Sequence, residues 1–186
     1  MILIVNNGSK YISDLEGVLK KFNVNYNFMS DGIDINKYNG AILSGGPYLL
    51  STKEHFDSKK YNLSLLKNFN KPILGICLGH QLICLHYGGQ IIKNKKVKGK
   101  RKIIVVNKDK LFSGLDQELI VAENHCENII RLPKSLELLA FSTSFDIEAI
   151  KHRNKEIYGV QFHTEVSGSI GEHIIKNFLN LCYGKL

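Results

Sequence analysis

The chain has 186 residues, enough for a single domain at roughly 150 residues per domain, and it can bury about 70 % of its unfolded surface without disulfides or metal. The 25 basic and 17 acidic side chains give a net charge of +8, but seven of the basic ones fall in Lys93–Lys102, which reads KNKKVKGKRK, leaving 18 basic against 17 acidic elsewhere. A near-neutral globule with one basic segment is therefore expected rather than a generally basic nucleic-acid-binding protein, and no apolar run reaches the ~20 residues of a membrane span.

Met1–Val5 is a short apolar run with no basic flank and no small-residue cleavage pattern, so it is expected to be a first strand rather than a signal peptide. Ser9–Phe22 has Leu15, Val18, Leu19 and Phe22 at helical spacing. Val24, Tyr26 and Phe28 alternate with asparagines as a half-buried strand does. Ala41–Leu43 is a buried strand broken by Ser44-Gly45-Gly46-Pro47, and a helical stretch from Glu54 to Phe69 leads to a further strand, Pro72–Ile76. A helix from Leu78 to Tyr87 ends at Gly88-Gly89. The rhythm predicts an α/β domain with an open, mostly parallel sheet flanked by helices. In the second half, Gln90–Lys93 and Lys102–Val106 are expected as strands flanking the basic segment, which then forms a hairpin tip. Glu118–Ala122, Leu136–Phe141, Ile147–Ile150 and Ile157–Phe162 follow as antiparallel additions, and a final helix covers Glu172–Leu181. No linker divides the chain, so residues 1–186 are expected to form one domain.

The chemistry concentrates in three segments. In Gly75-Ile76-Cys77-Leu78-Gly79-His80-Gln81 a buried strand runs through Gly-x-Cys-x-Gly into a helix. This is the cysteine form of a nucleophile elbow, in which small neighbours permit a sharp turn that lifts the nucleophile into a cleft. A sulfur at a helix N-terminus meets unpaired N–H groups and the positive end of the dipole, both of which favour thiolate. A buried inert thiol is the competing reading, but it gives no reason for the glycines on either side. His163 ends another expected strand with Glu165 two residues on. In extended backbone the two face the same side, so Glu165 could orient His163 as a base for Cys77. The third segment, Ser44-Gly45-Gly46-Pro47, is either an ordinary turn or a loop whose N–H groups hold an oxyanion.

The remaining cysteines, Cys84, Cys126 and Cys182, form no CxxC pair, and no Cys or His pairs have zinc-finger spacing. Reduced thiols in a cytoplasmic protein, with no metal site, are expected.

In this order and spacing the three segments resemble the class I, triad-type glutamine amidotransferases, over nearly the whole chain. Within that family the chain looks most like the separate glutaminase subunits of GMP synthases, on MILIVNNG, Ile42–Pro47, Gly75–Gln81, and Ile147–His152 leading into Ile157–His163. The Ser-Gly-Gly-Pro loop and Glu165-Val166 point away from anthranilate-type glutaminases, which tend to carry SPGPG and to end the last motif in Glu-Ser. The resemblance implies a Cys77–His163–Glu165 triad, an oxyanion hole from the N–H groups of Gly46 and Leu78, and Gln81 in the substrate pocket. It also implies L-glutamine as substrate and a separate ATP-dependent synthetase, aminating XMP to GMP, as the ammonia acceptor.

The chain has no P-loop, so no cofactor is expected on it; ATP and magnesium belong to the partner. The alternatives are a glutaminase serving an anthranilate or aminodeoxychorismate synthetase, and a nucleic-acid-binding protein on the same scaffold. No nucleic acid and no membrane are expected as partners in the favoured reading.

The sequence also departs from the family pattern. The usual Asp-Asn-Gly-Gly-Gln reads Asn6-Asn7-Gly8-Ser9-Lys10, the Pro after the histidine is Thr164, and Glu-Ser-His reads Glu123-Asn124-His125. The largest departure is the basic segment, where family members commonly place an acidic Glu-Tyr region near Val97–Arg101. Lys95, Lys96, Lys98 and His125 are the expected docking residues toward the synthetase.

Overall fold

The computed structural model describes residues 1–52, 57–144 and 146–184. In chain order these form β1 (Ile2–Val5), α1 (Ile12–Lys21), β2 (Tyr26–Phe28), β3 (Gly40–Leu43), α2 (Lys59–Asn68), β4 (Ile73–Ile76) and α3 (Leu78–His86). There follow β5 (Gln90–Val105), β6 (Glu118–Arg131), β7 (Leu136–Ser142), β8 (Ile147–His152), β9 (Ile157–Val160) and α4 (Gly168–Tyr183). Short 3₁₀ turns cover Ile35–Lys37, Lys110–Phe112 and Thr164–Val166.

The nine strands make one sheet in the order β2-β1-β3-β4-β9-β8-β7-β5-β6. The strands from β2 to β9 in that order are parallel neighbours, and β8, β7, β5 and β6 are added antiparallel. This is the open sheet with antiparallel additions that the sequence predicts.

Residue alternation decides which helix covers which face. Ile2 and Ile4 of β1 pack in one core with Leu15, Val18 and Leu19 of α1 and Ile174, Ile175 and Phe178 of α4. Leu3 and Val5 face the other way, against Leu65 and Leu66 of α2 and Ile83 of α3. Burial on both faces explains why the parallel strands are unbroken apolar runs. The chain leaves β1 toward β2 on one side and β3 on the other, so the strand order reverses between β1 and β3. Crevices at the carboxyl ends of strands beside such a reversal are where open α/β sheets bind ligands.

Several expectations change, among them β6, which runs on to Arg131, and β9, which stops at Val160. The basic segment is not a hairpin tip: it is the middle of β5, paired with β6 from Ile104↔Glu118 to Gln90↔Arg131. Only Ile103–Val105 of β5 also pair with β7, so most of β5 and its β6 partner form a two-stranded ribbon beyond the sheet. Backbone groups there are satisfied by pairing, and the lysine side chains stand out in water, a composition that also protects an edge. The first helix begins at Ile12 rather than Ser9, because Ser9 spends its hydroxyl and carbonyl oxygens on the N–H groups of Tyr11 (3.2 Å) and Ile12 (3.3 Å). The last helix begins at Gly168, four residues early. Poor helix formers hide that turn in the sequence, and Gly171 is required in it because a Cβ there would overlap the Thr164 carbonyl oxygen. The beginning of the helix expected from Glu54 lies outside the described residues.

Candidate active site

β4 carries Cys77 to the carboxyl end of the sheet, and the residue itself makes the turn into α3. Its backbone is left-handed, φ 52° and ψ −103°, held by its N–H donating to the Val160 carbonyl at 2.8 Å and by the Gln81 N–H donating to its carbonyl at 3.1 Å. The flanking glycines are steric necessities. A Cβ on Gly75 would lie 2.5 Å from the Gly79 carbonyl carbon, and one on Gly79 would overlap the Leu43 carbonyl oxygen.

His163 follows β9, and its N–H donates to the Ala122 carbonyl of β6 at 2.8 Å. β9 ends at Val160, so Glu165 does not reach His163 along a continuing strand as expected. The 3₁₀ turn Thr164–Val166 folds it back, and Glu165 Oε1 lies 3.0 Å from His163 Nδ1. Cys77, His163 and Glu165 are all buried. Burial disfavours the imidazolium, but hydrogen bonds to Cys77 and Glu165 outweigh it and hold His163 up at about 10. The histidine thus touches the thiol on one side and the carboxylate on the other.

The glycine loop after β3 lies on this pair. A Cβ on Gly45 would be 3.0 Å from His163 Cε1, and one on Gly46 would be 2.8 Å from Leu78 Cδ2 and would overlap the Asn7 carbonyl oxygen. Leu78 is the first residue of α3, so its N–H has no acceptor within the helix. Gly46 thus packs against the Leu78 side chain at the start of α3.

Asn7, which lies in the Asn6-Asn7-Gly8 stretch, anchors the loop, a role the sequence motif did not reveal. Its N–H donates to Ser44 Oγ (2.9 Å) and its side-chain amide to the Ser44 carbonyl (2.8 Å), while its side-chain oxygen accepts from Asn62 and Ser58 (2.7 Å each). Tyr11 is a second residue missed in sequence; its ring meets the edge of His163 at 4.6 Å, and Lys10 Nζ lies 4.6 Å from the Tyr11 centroid. Neither long-range contact leaves a local pattern.

A cavity of about 380 Å³ opens above Cys77, walled by Gly46, Gln81, Asn124, His125, Glu127 and other residues. The amide nitrogen of Gln81 donates to the Glu127 carbonyl (2.9 Å) and to Gln161 Oε1 (3.0 Å), and Gln161 in turn donates to Cys77 Sγ at 3.7 Å. His125 is corrected as a docking residue. It is buried, with Nε2 2.8 Å from Glu123 Oε2 and Nδ1 3.1 Å from the Glu127 carbonyl oxygen, so it forms cavity wall rather than outer surface. Behind it, burial and the charge of Glu123 raise the Glu148 carboxyl to about 9. Lys95, Lys96 and Lys98 are all exposed on the ribbon, and of the three Lys96 and Lys98 also line the cavity.

The glutamine amidotransferase class-I family matches residues 3–182. A glutamine-hydrolyzing GMP synthase subunit of Pyrococcus abyssi is 38 % identical over 189 residues, covering 98 % of each chain. The corresponding protein of Methanococcus maripaludis, of the same name, is 37 % identical over 190 residues, covering 98 % of this chain and 97 % of its own. Among solved structures, a candidate GMP synthase subunit of Thermoplasma acidophilum superposes with a TM-score of 0.87 at 33 % identity, covering 97 % of this chain and 92 % of its own. With a matched family spanning nearly all of its length, the chain belongs to the class-I glutamine amidotransferases.

Proposed function

We propose that the chain is the glutaminase subunit of a two-subunit, glutamine-hydrolysing GMP synthase. The observation that carries the reading is Cys77 on a left-handed strand-to-helix turn, beside a His163 whose Nδ1 lies 3.0 Å from Glu165 Oε1. The curated relatives with nearly full-length similarity are named as subunits of glutamine-hydrolysing GMP synthases.

Cys77 thiolate attacks the side-chain amide carbon of L-glutamine, forming a C–S bond and placing the carbonyl electron pair on oxygen. The N–H groups of Gly46 and Leu78 take up that oxyanion; loss of one such donor costs about 10²–10³ in rate. His163 imidazolium gives its proton to the departing nitrogen, the C–N bond breaks, and ammonia leaves a γ-glutamyl thioester. Neutral His163 then removes a proton from water as it attacks the thioester, and glutamate and the thiolate are released with His163 again protonated. Glu165 keeps the ring oriented throughout. Gln81 and Gln161 shape the wall beside the sulfur. The ammonia passes to a separate synthetase, where ATP and magnesium would be bound and XMP aminated to GMP.

The test is the ammonia acceptor. Purified chain is mixed with the ATP-dependent subunit of a GMP synthase, ATP, magnesium, XMP and L-glutamine, and GMP is followed. Glutamine-dependent GMP formation is expected, with none from Cys77→Ala although that variant melts as the parent does, since alanine fits the same backbone angle no worse than cysteine. Glutamine-dependent product appearing only with an anthranilate- or aminodeoxychorismate-type synthetase would move the chain to that partner. Ammonia release persisting in Cys77→Ala would falsify the triad.

A further inference from the structure

A second polar cluster lies behind the cavity wall, away from the triad. Glu148 of β8 is completely buried, and Glu123 and His125 of β6 nearly so. Among the described residues no N–H or O–H donates a hydrogen bond to any of the four carboxyl oxygens of Glu123 and Glu148, and all four are closed to solvent. The residue opposite Glu123 on β5 is Gly99, which brings no side chain to meet them.

Two neighbouring buried carboxylates are unfavourable unless a cation or a proton meets each of them. Arg101 of β5 is paired with Asp146 at 3.0 Å, so those two add no net charge. His80 of α3, fully buried, is held down at about 3 by its burial and stays neutral. That leaves His125, whose Nε2 lies 2.8 Å from Glu123 Oε2. Its Nδ1 is 3.1 Å from the Glu127 carbonyl oxygen, which can only accept, so Nδ1 carries a hydrogen. One further proton between Nε2 and Oε2 joins His125 to Glu123 and makes the two neutral together. No cation remains for Glu148, and burial and the charge of Glu123 push its carboxyl up.

The cluster is tied to the nucleophile. The Glu127 carbonyl that accepts from His125 also accepts from the Gln81 amide at 2.9 Å, Gln81 donates to Gln161 Oε1 at 3.0 Å, and Gln161 donates to Cys77 Sγ at 3.7 Å. The Gln161 N–H also donates to the Glu148 carbonyl at 2.8 Å.

We infer that Glu148 is a neutral acid that donates a hydrogen bond to Glu123, and that the chain Glu148–Glu123–His125 positions Gln81 and Gln161 against Cys77. Ionising Glu148 places an uncompensated charge beside Glu123 and releases the group that fixes His125. Both glutamates are positioning residues, acting through the cavity wall. The effect on rate rests on the glutaminase reading above; the proton on Glu148 does not.

Two measurements on the full chain test this. In the first, urea unfolding of the parent and of Glu148→Gln is compared from about pH 5.5 to pH 8, where a carboxyl raised by folding is protonated when folded and ionised when unfolded. Stability is therefore lost as pH rises, and the folding equilibrium constant of the parent should fall about tenfold per pH unit relative to Glu148→Gln, one proton's worth. The infrared carbonyl band of a protonated carboxyl should be present at neutral pH in the parent and absent from Glu148→Gln. Equal pH slopes, or no such band in the parent, overturn the inference. In the second, kcat/KM for glutamine hydrolysis should fall roughly 10- to 100-fold in Glu148→Ala, the range for a buried polar group left without its partner. Glu148→Gln, whose amide donates without titrating, should recover most of that loss and carry its alkaline limb to higher pH than the parent. A Glu148→Ala rate equal to the parent's, equal impairment of both variants, or an unmoved alkaline limb overturns the positioning role. Failure of the glutaminase reading shows separately, as ammonia release that does not depend on Cys77, and leaves the unfolding comparison standing.

Discussion

Cys77 holds a backbone conformation that costs a residue with a β-carbon of order 1–3 kcal/mol, and it persists because hydrogen bonds on both sides of the residue over-determine it. The chemistry depends on what this turn delivers, a sulfur within hydrogen-bonding reach of His163. Glu165 completes the arrangement by fixing the ring, and its charge is one of the groups holding His163 at about 10. Because that pKa is raised, the imidazolium proton needed by the departing ammonia is present below it and lost as pH rises through it. Glu165→Gln removes a raising contribution, so the alkaline limb of the pH–rate profile for glutamine hydrolysis should move to lower pH. The rate on the plateau should fall by roughly 10²–10⁴, the usual worth of a positioned acid–base group. A profile measured on both proteins that shows the same alkaline limb would remove Glu165 from this role.

At the level of elements, the unit β4–turn–α3 was legible in advance because its constraints are local. Gly75 and Gly79 flank the cysteine at fixed offsets, and the structure shows why: the first packs on the helix's opening turn and the second on the Leu43 carbonyl of β3. Gly79→Ala places a methyl group against backbone that cannot rotate away, so the urea midpoint should fall by an amount equivalent to about 1–3 kcal/mol, the range for overpacking. Equilibrium unfolding followed by circular dichroism measures it; a midpoint equal to the parent's would mean that α3 shifts freely on the sheet. The β5–β6 ribbon was not legible. Seven basic residues in ten have no period-2 apolar alternation, and what makes them strand is the partner, β6, whose residues lie up to 41 positions away in the register Gln90↔Arg131.

For the whole molecule, Lys93, Lys95, Lys96, Lys98 and Lys100 of the ribbon are all exposed; Lys96 and Lys98 also border the cavity, and Lys93, Lys95 and Lys100 lie outside its lining, where an acidic face of a synthetase could meet them. Charge complementarity of this kind can speed association by 10–10³-fold at low salt and is screened beyond about 10 Å at 0.1 M. Lys93→Glu, Lys95→Glu and Lys100→Glu together should therefore slow association with the synthetase more at 20–50 mM salt than at 500 mM, in a stopped-flow or surface-binding measurement, and leave glutamine affinity intact. An association rate that does not change would leave the exposed lysines as solvated charge. The placement also removes the conflict between a net charge of +8 and a globule otherwise near neutrality: the excess is confined to one ribbon beside one cavity.

The amino-acid sequence by itself determined the sheet's parallel half, the nucleophile turn and the three segments that meet at it, because unbroken apolar runs and glycines at fixed offsets are properties of neighbours in the chain. Only the tertiary structure decided that Glu165 returns to His163 through a 3₁₀ turn, that Asn7 and Tyr11 brace the loop and the ring, and that His125 faces the cavity rather than the exterior. It alone decided that the basic segment is a paired strand with two exposed lysines bordering the cavity. Strand register and the bulge opposite Cys126 arise from hydrogen bonds between distant segments, and the charge of a lysine says nothing about which side of such a pairing it will occupy.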